Sequence, residues 1–417
     1  MASSVVLGGI GQAFESRNFK IFWWGQLNLG VGHWVYRLAL AWLTWELTQS
    51  TFWLGVVAAA NMLPVLVLCP IGGVTADRWG HLLQLVLASA AMGVTGLVLV
   101  VMAASGTLTI EWTVIWSFIS GMTRAFTIPP RQALVPQIVE PRLLSAALGF
   151  QSATYYGANF IGPAIGGFLI ATLGVSAALA YFVLGAVIAV VALPFLKVPP
   201  RPRRQGPPAS FVADLTEGVR YTARHPGIRL MILIVALGAL CVQPVVDMLA
   251  SVADRVLAMG PDGLAILTSS FGCGAMVGGL WIAWRGRTEG LIRILLVWVI
   301  VGLAALGICA LSAYAWLSVT MLFLIGASVV ITHTATSSLI QNTVEPRLRA
   351  RVMALDSMLS IGGPALGALI IGWAGAHFGI QPPLFAAAIL GLLVLAFAQR
   401  RVRAETGRLE AQPRPAE

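Results

Sequence analysis

Val139-Glu140-Pro141-Arg142-Leu143 recurs as Val344-Glu345-Pro346-Arg347-Leu348, 205 residues further along the chain. Two more strings repeat in the same order. Gly162-Pro163 followed by Gly166 returns as Gly363-Pro364 followed by Gly367 at an offset of 201, and Gly72-Gly73 with Gly80 returns as Gly278-Gly279 with Gly286 at 206. Recurrence at three places with nearly one spacing marks a duplication, each copy taking about half of the chain.

Composition says what is duplicated. Of the 417 residues, 58% are hydrophobic and only 10% are charged, against about 25% charged in a soluble domain. So few charges cannot cover a water-facing surface, so most of the surface faces lipid. A helix crosses the hydrocarbon core in about 20 apolar residues. Apolar runs between Gly, Pro and charge breaks predict spans near 20–45, 51–75, 82–104, 109–128, 144–171 and 177–196. Six more are predicted near 228–256, 263–284, 291–312, 316–339, 352–375 and 383–399. The expected fold is an all-α integral membrane protein with twelve transmembrane helices in two six-helix bundles. The bundles occupy 1–196 and 228–400, with a cytoplasmic linker at 197–227 and a cytoplasmic tail at 401–417.

The net charge of +10 does not indicate nucleic acid, because the basic residues sit in the gaps between apolar runs. With the N-terminus in the cytoplasm, the inner side holds Arg17, Lys20, Arg78, Arg131, Arg142, the 197–229 cluster, Arg285, Arg287, Arg347 to Arg351 and Arg400 to Arg403. The outer side holds only Arg255. This asymmetry predicts that both termini are cytoplasmic. The first residues lack a compact apolar stretch, so the first span is expected to direct insertion itself. In the linker, Phe211, Leu215, Val219 and Tyr221 share one face of a short amphipathic helix on the inner surface. Cys69, Cys241, Cys273 and Cys309 all lie in apolar segments without metal-ligand spacing, so neither a disulfide nor a metal is expected. Trp residues at 23, 24, 42, 45, 53, 112, 116, 284 and 316 fall near span ends, as an interfacial belt requires.

The loop after the second span reads Gly72-Gly73-Val74-Thr75-Ala76-Asp77-Arg78-Trp79-Gly80-His81. Gly73, Asp77, Arg78 and Gly80 resemble the signature loop of the major facilitator superfamily, with His81-Leu82 in place of the usual basic pair. The resemblance implies a conformational switch at the inner rim, weaker or pH-sensitive because of His81. In the fifth span, Gly157, Gly162, Pro163, Gly166 and Gly167 fill every fixed position of a string that resembles the antiporter signature of that superfamily. That signature is associated with proton-coupled export; read without it, the glycines are a packing seam. Thr48-Gln49-Ser50 with Leu54-Gly55, the loop Pro129 to Pro136, and Arg349-Ala350-Arg351-Val352-Met353 are similar to the branch containing the enterobactin exporter and macrolide-efflux proteins.

Ionisable residues inside spans are costly and usually face the bundle interior. His33 and Arg37 lie four apart in the first span, Arg124 in the fourth, Asp247 in the seventh and His333 in the tenth. In the superfamily these four helices line the central cavity. His33 and Asp247 are the candidates for proton carriage, with Arg37 and Arg124 tuning them or meeting substrate. Asp356 is expected to pair with Arg351 or Arg349 as a structural contact. There is no phosphate-binding loop and no catalytic triad, which excludes ATP-driven pumping and argues against an enzyme.

The expected protein is a cofactor-free secondary transporter of a bacterial inner membrane, working as a monomer by alternating access. It exports a small amphipathic drug, siderophore or metabolite in antiport with protons. The alternatives are an uptake permease using Arg37 and Arg124 as an organic-anion site, and a lipid flippase or non-transporting sensor.

Overall fold

A computed structural model describes residues 16–198, 211–285, 290–344 and 346–402. The Pro/Arg-rich stretch with Arg201, Arg203 and Arg204 lies outside them, as do Gly286, Arg287, Glu345 and the tail from Arg403. All the regular structure described is helical.

Helix α1 (Arg17–Thr48) starts where the Ser16 hydroxyl accepts from the Phe19 N–H, and ends on Gln49 in the left-handed region. It is followed by α2 (Thr51–Trp79), α3 (His81–Ala104), α4 (Ile110–Ile138), α5 (Leu144–Leu173) and α6 (Val175–Ala192). The α2–α3 joint is one residue, Gly80, at φ +94°, a conformation that L side chains rarely adopt. Next come α7 (Phe211–Arg224), α8 (Pro226–Leu237), a π-helical turn (Gly238–Val242), α9 (Val245–Ser251) and a second π-helical turn (Val252–Val256). The chain continues through α10 (Gly260–Arg285), α11 (Leu291–Leu311), α12 (Ala315–Thr343), α13 (Pro346–Phe378) and α14 (Gln381–Val402).

Among the described residues, nine segments are long and apolar enough to cross a membrane. Their outer faces are apolar too, with Val94, Phe168, Leu311 and Ile370 more than half exposed. Lipid is the environment in which such a surface is stable. Trp24, Trp112, Trp284 and Trp316 are exposed, but Trp45 is fully buried, so it belongs to the core and not to the interfacial belt expected for it.

The segment Pro129 to Pro136, expected as a loop, is helical and forms the last part of α4. A proline lacks the N–H that would satisfy the carbonyl four residues back. Phe126 O, released by Pro130, instead accepts from the buried Gln84 side chain at 3.1 Å, and the same Nε2 donates to Gly72 O at 2.7 Å. One glutamine therefore joins α2, α3 and α4 where the prolines weaken the backbone ladder.

The chain forms two compact units. The first contains α1, α2 from Ala60, α3 to α6, and Ala258–Ser269. In it, α6 packs on α1 and α3, α5 packs on α1, and α3 packs on α4. The second contains Ser50–Ala59, the described chain from Phe211 to Leu257, and the described chain from Ser270. There α11 packs on α12 and α14, and α13 on the first π turn and on α7. Thr222 is the buried residue on α7, while Val219 is exposed; the side chains of Phe211 and Leu215 lie outside the described set. Arg351 ion-pairs with Glu217 of α7, which leaves the expected Arg351–Asp356 pair unformed.

Candidate functional site

Within each unit a glycine face of one helix receives a neighbour. A Cβ on Gly162 would stand 2.5 Å from Trp34 Cβ, and one on Gly166 would stand 3.0 Å from Leu38 Cδ2, so α5 lies against α1 there. A Cβ on Gly167 would overlap Ala265, whereas Gly157 faces open space. In the second unit, a Cβ on Gly363 would meet Ala239 Cβ at 2.6 Å, and one on Gly367 would meet Leu240 O at 2.5 Å. The repeated Gly-Pro strings thus do the same work, seating α5 on α1 and α13 on the first π turn. Pro163 and Pro364 lie inside continuous helices.

The switch loop lies at the α2–α3 joint. Asp77 and Arg78 are both exposed, and Asp77 Oδ1 is 3.4 Å from His81 Nε2. The other ring nitrogen of His81 is 3.3 Å from Gln137 Nε2 at the end of α4, so His81 bridges the Asp77 turn to α4. The tight contact in this motif is at Gly72, whose Cβ would meet Ala125 O at 2.6 Å; Gly73 has only ordinary contact with Pro129.

His33, Arg37 and Arg124 are brought together in the first unit. The charges of Arg124, Arg37 and Arg131 all act on His33. The Arg37 guanidinium lies 5.4 Å from the Trp34 ring, a cation–π contact, and Trp34 meets Tyr155 edge-on at 5.9 Å. Arg131 was assigned to a loop by sequence; the helical course of α4 brings it into the cluster. Its spacing of seven from Arg124 is the signal that marks it, once the prolines are allowed inside a helix.

Asp247 is buried on α9. His333 lies on α12 and lines a small, partly open cavity in the second unit, with Gln243, Ser328, Thr332, Thr336 and Ser360 as its polar lining. Asp247 is not among the lining residues. Asp356 of α13 is 2% exposed, with Ser337 Oγ donating to its Oδ2 at 3.4 Å. The hydroxyls of Thr336 and Ser360 and the Asp356 Oδ1 are buried with no hydrogen-bond partner. Sequence reading treated Asp356 as structural; its spacing of four from Ser360 put both on one helix face.

Among the described residues no three His, Cys, Asp or Glu side chains gather around a metal-sized space, and the four cysteines are free thiols.

Residues 12–415 match the transmembrane secretion effector family, a branch of the major facilitator superfamily. Macrolide efflux protein A of Streptococcus pyogenes is 24% identical over 353 residues, covering 83% of this chain and 86% of that protein. A staphyloferrin A transporter of Staphylococcus aureus is 27% identical over 171 residues, 39% of this chain and 43% of that one. In fold, a bacterial homologue of the human lysosomal transporter Spinster superposes with a TM-score of 0.73 at 14% identity, with 99% of each chain covered. Nearly the whole length is matched, and the chain accordingly belongs to the transmembrane secretion effector family as a multi-pass membrane transporter of the major facilitator type, not an enzyme.

Proposed function

We propose that the protein is a secondary active exporter, moving a small amphipathic compound out of a bacterial cell across the inner membrane in exchange for protons. In this reading twelve helices form two six-helix bundles with both termini in the cytoplasm. The chain works as a monomer in lipid, without cofactor or nucleic acid. The observation that carries it is the paired glycine seam, Gly162 and Gly166 on α1 and Gly363 and Gly367 on the first π turn. Close-packed seams of small residues hold the helices of each half together as one body, and alternating access moves one such body against the other. Export is supported by the relatives, one of which is an efflux protein.

Gly73, Asp77, Arg78 and Gly80 form the switch, and Gly157 to Gly167 the antiport seam. His33, Arg37 and Arg124 face substrate. Proton carriage is assigned to buried carboxylates, Asp247 and Asp356, with His33 as the further candidate. Everted vesicles given an inward-acidic gradient test the proposal. A labelled macrolide and a labelled carboxylate siderophore are supplied outside, and acidity is followed by acridine orange. Accumulation of either compound with loss of the gradient supports proton-coupled export; accumulation only in right-side-out vesicles refutes it.

A further inference from the structure

Arg124 and Arg131 are seven residues apart on α4, two helical turns, or about 10 Å along one face. Tyr155 on α5 meets Trp34 edge-on at 5.9 Å, and Trp34 in turn carries the Arg37 guanidinium at 5.4 Å. Each arginine is only partly exposed. Arg131 Nε is shielded from solvent and has no acceptor. Among the described residues no carboxylate forms an ion pair with either side chain.

The described acidic residues of this unit are exposed or engaged elsewhere. Glu46 is exposed at the end of α1 and Asp262 in the first turn of α10, Asp77 faces His81, Glu111 accepts from Thr109, and Glu140 pairs with Arg142. A half-buried guanidinium without a counter-charge is unfavourable, and among the described residues neither arginine has one. The planar guanidinium fork fits a carboxylate, sulfonate or phosphate by paired hydrogen bonds. Next to it, Tyr155 is 44% exposed and leans on Trp34, an apolar platform for the rest of a ligand.

We propose that Arg124 and Arg131 form an anion site in the first unit, and that the transported compound is an amphipathic organic acid. Its acidic group pairs with these guanidiniums and its apolar body rests on Tyr155. This rests on the transporter reading above but not on the direction of transport.

The test uses the full chain purified in detergent and two dyes of similar ring body, anionic carboxyfluorescein and cationic rhodamine 123, read by fluorescence polarisation. Carboxyfluorescein is expected to bind, to be displaced by citrate, and to weaken by at least about tenfold in Arg124→Gln and in Arg131→Gln. Arg124→Lys and Arg131→Lys retain part of the affinity and serve if a Gln variant does not fold. No binding of the anion, equal binding of the cation, or affinity unchanged in both variants overturns the proposal. Repeating the assay in nanodiscs with and without phosphatidylglycerol separates the sources of anion. Displacement by that lipid but not by citrate assigns the site to a lipid headgroup and also overturns it. Dye accumulation in right-side-out vesicles alone would sink the export reading and leave the anion site standing.

Discussion

The imidazole of His81 reaches back one helical turn to Asp77, with Nε2 3.4 Å from Oδ1, across the bend made by Gly80. The pair is ionic only when the imidazole is protonated, and Asp77 is more than half exposed, so its contribution to stability is at most about 1 kcal/mol. His81→Ala is therefore expected to leave the unfolding temperature nearly unchanged. His81→Lys makes the pair permanent and is expected to flatten the pH profile of transport. A profile identical to that of the unsubstituted protein would remove His81 from the switch.

Gly72→Ala is expected to destabilise by about 1–3 kcal/mol, because the new methyl group meets a backbone carbonyl at 2.6 Å that cannot move without parting α2 from α4. Gly73→Ala meets only ordinary contact and is expected to stay within about 0.5 kcal/mol. Thermal unfolding in detergent separates them. The reverse order would mean that the helices cross elsewhere.

On α5, Gly162→Ala would push Trp34 off the seam, whereas Gly157→Ala enters open space. Transport is expected to fall in the first variant and persist in the second, with expression level as control. Equal loss in both would point to a role for Gly157 beyond packing.

Asp356→Asn keeps the size of the side chain and the Ser337 contact while removing the exchangeable proton. Proteoliposomes holding this variant are expected to lose gradient-driven exchange and keep substrate counterflow. Asp247→Asn and His33→Gln, run in parallel, rank the three candidates. Coupling that survives in Asp356→Asn makes that residue structural.

The Arg351–Glu217 pair fastens α7 to α13, with side chains 27% and 43% exposed. A double-mutant cycle to Ala is expected to give a coupling energy of about 0.2–1 kcal/mol after solvent screening. Zero coupling would mean that other contacts between α7 and α13 hold the helix.

Apolar runs made individual helices legible: the spans predicted near 82–104 and 291–312 fall on α3 (His81–Ala104) and α11 (Leu291–Leu311). The repeated glycines were legible as well, because small residues at fixed spacing have few other uses in lipid. Arg131 was not, since Pro129 and Pro130 read as a helix stop. The donor that compensates them, Gln84, is 46 residues from Pro130 and cannot be found by local pattern. The partner expected for Asp356 was not legible for a similar reason: Arg351 is its neighbour in sequence, but that arginine pairs with Glu217.

The three repeated strings do not keep one offset, and the difference has a physical size. Pro141 and Gly162 are 21 residues apart, Pro346 and Gly363 only 17. Four residues are close to one full turn, so losing or gaining them leaves the glycine face pointing nearly the same way while sliding it about 6 Å along the axis. The first copy starts with a 3-10 turn at Pro141–Leu143 that the second lacks. One copy therefore carries its seam a full turn further from its Pro-Arg-Leu start than the other does, and each seam still receives its neighbour.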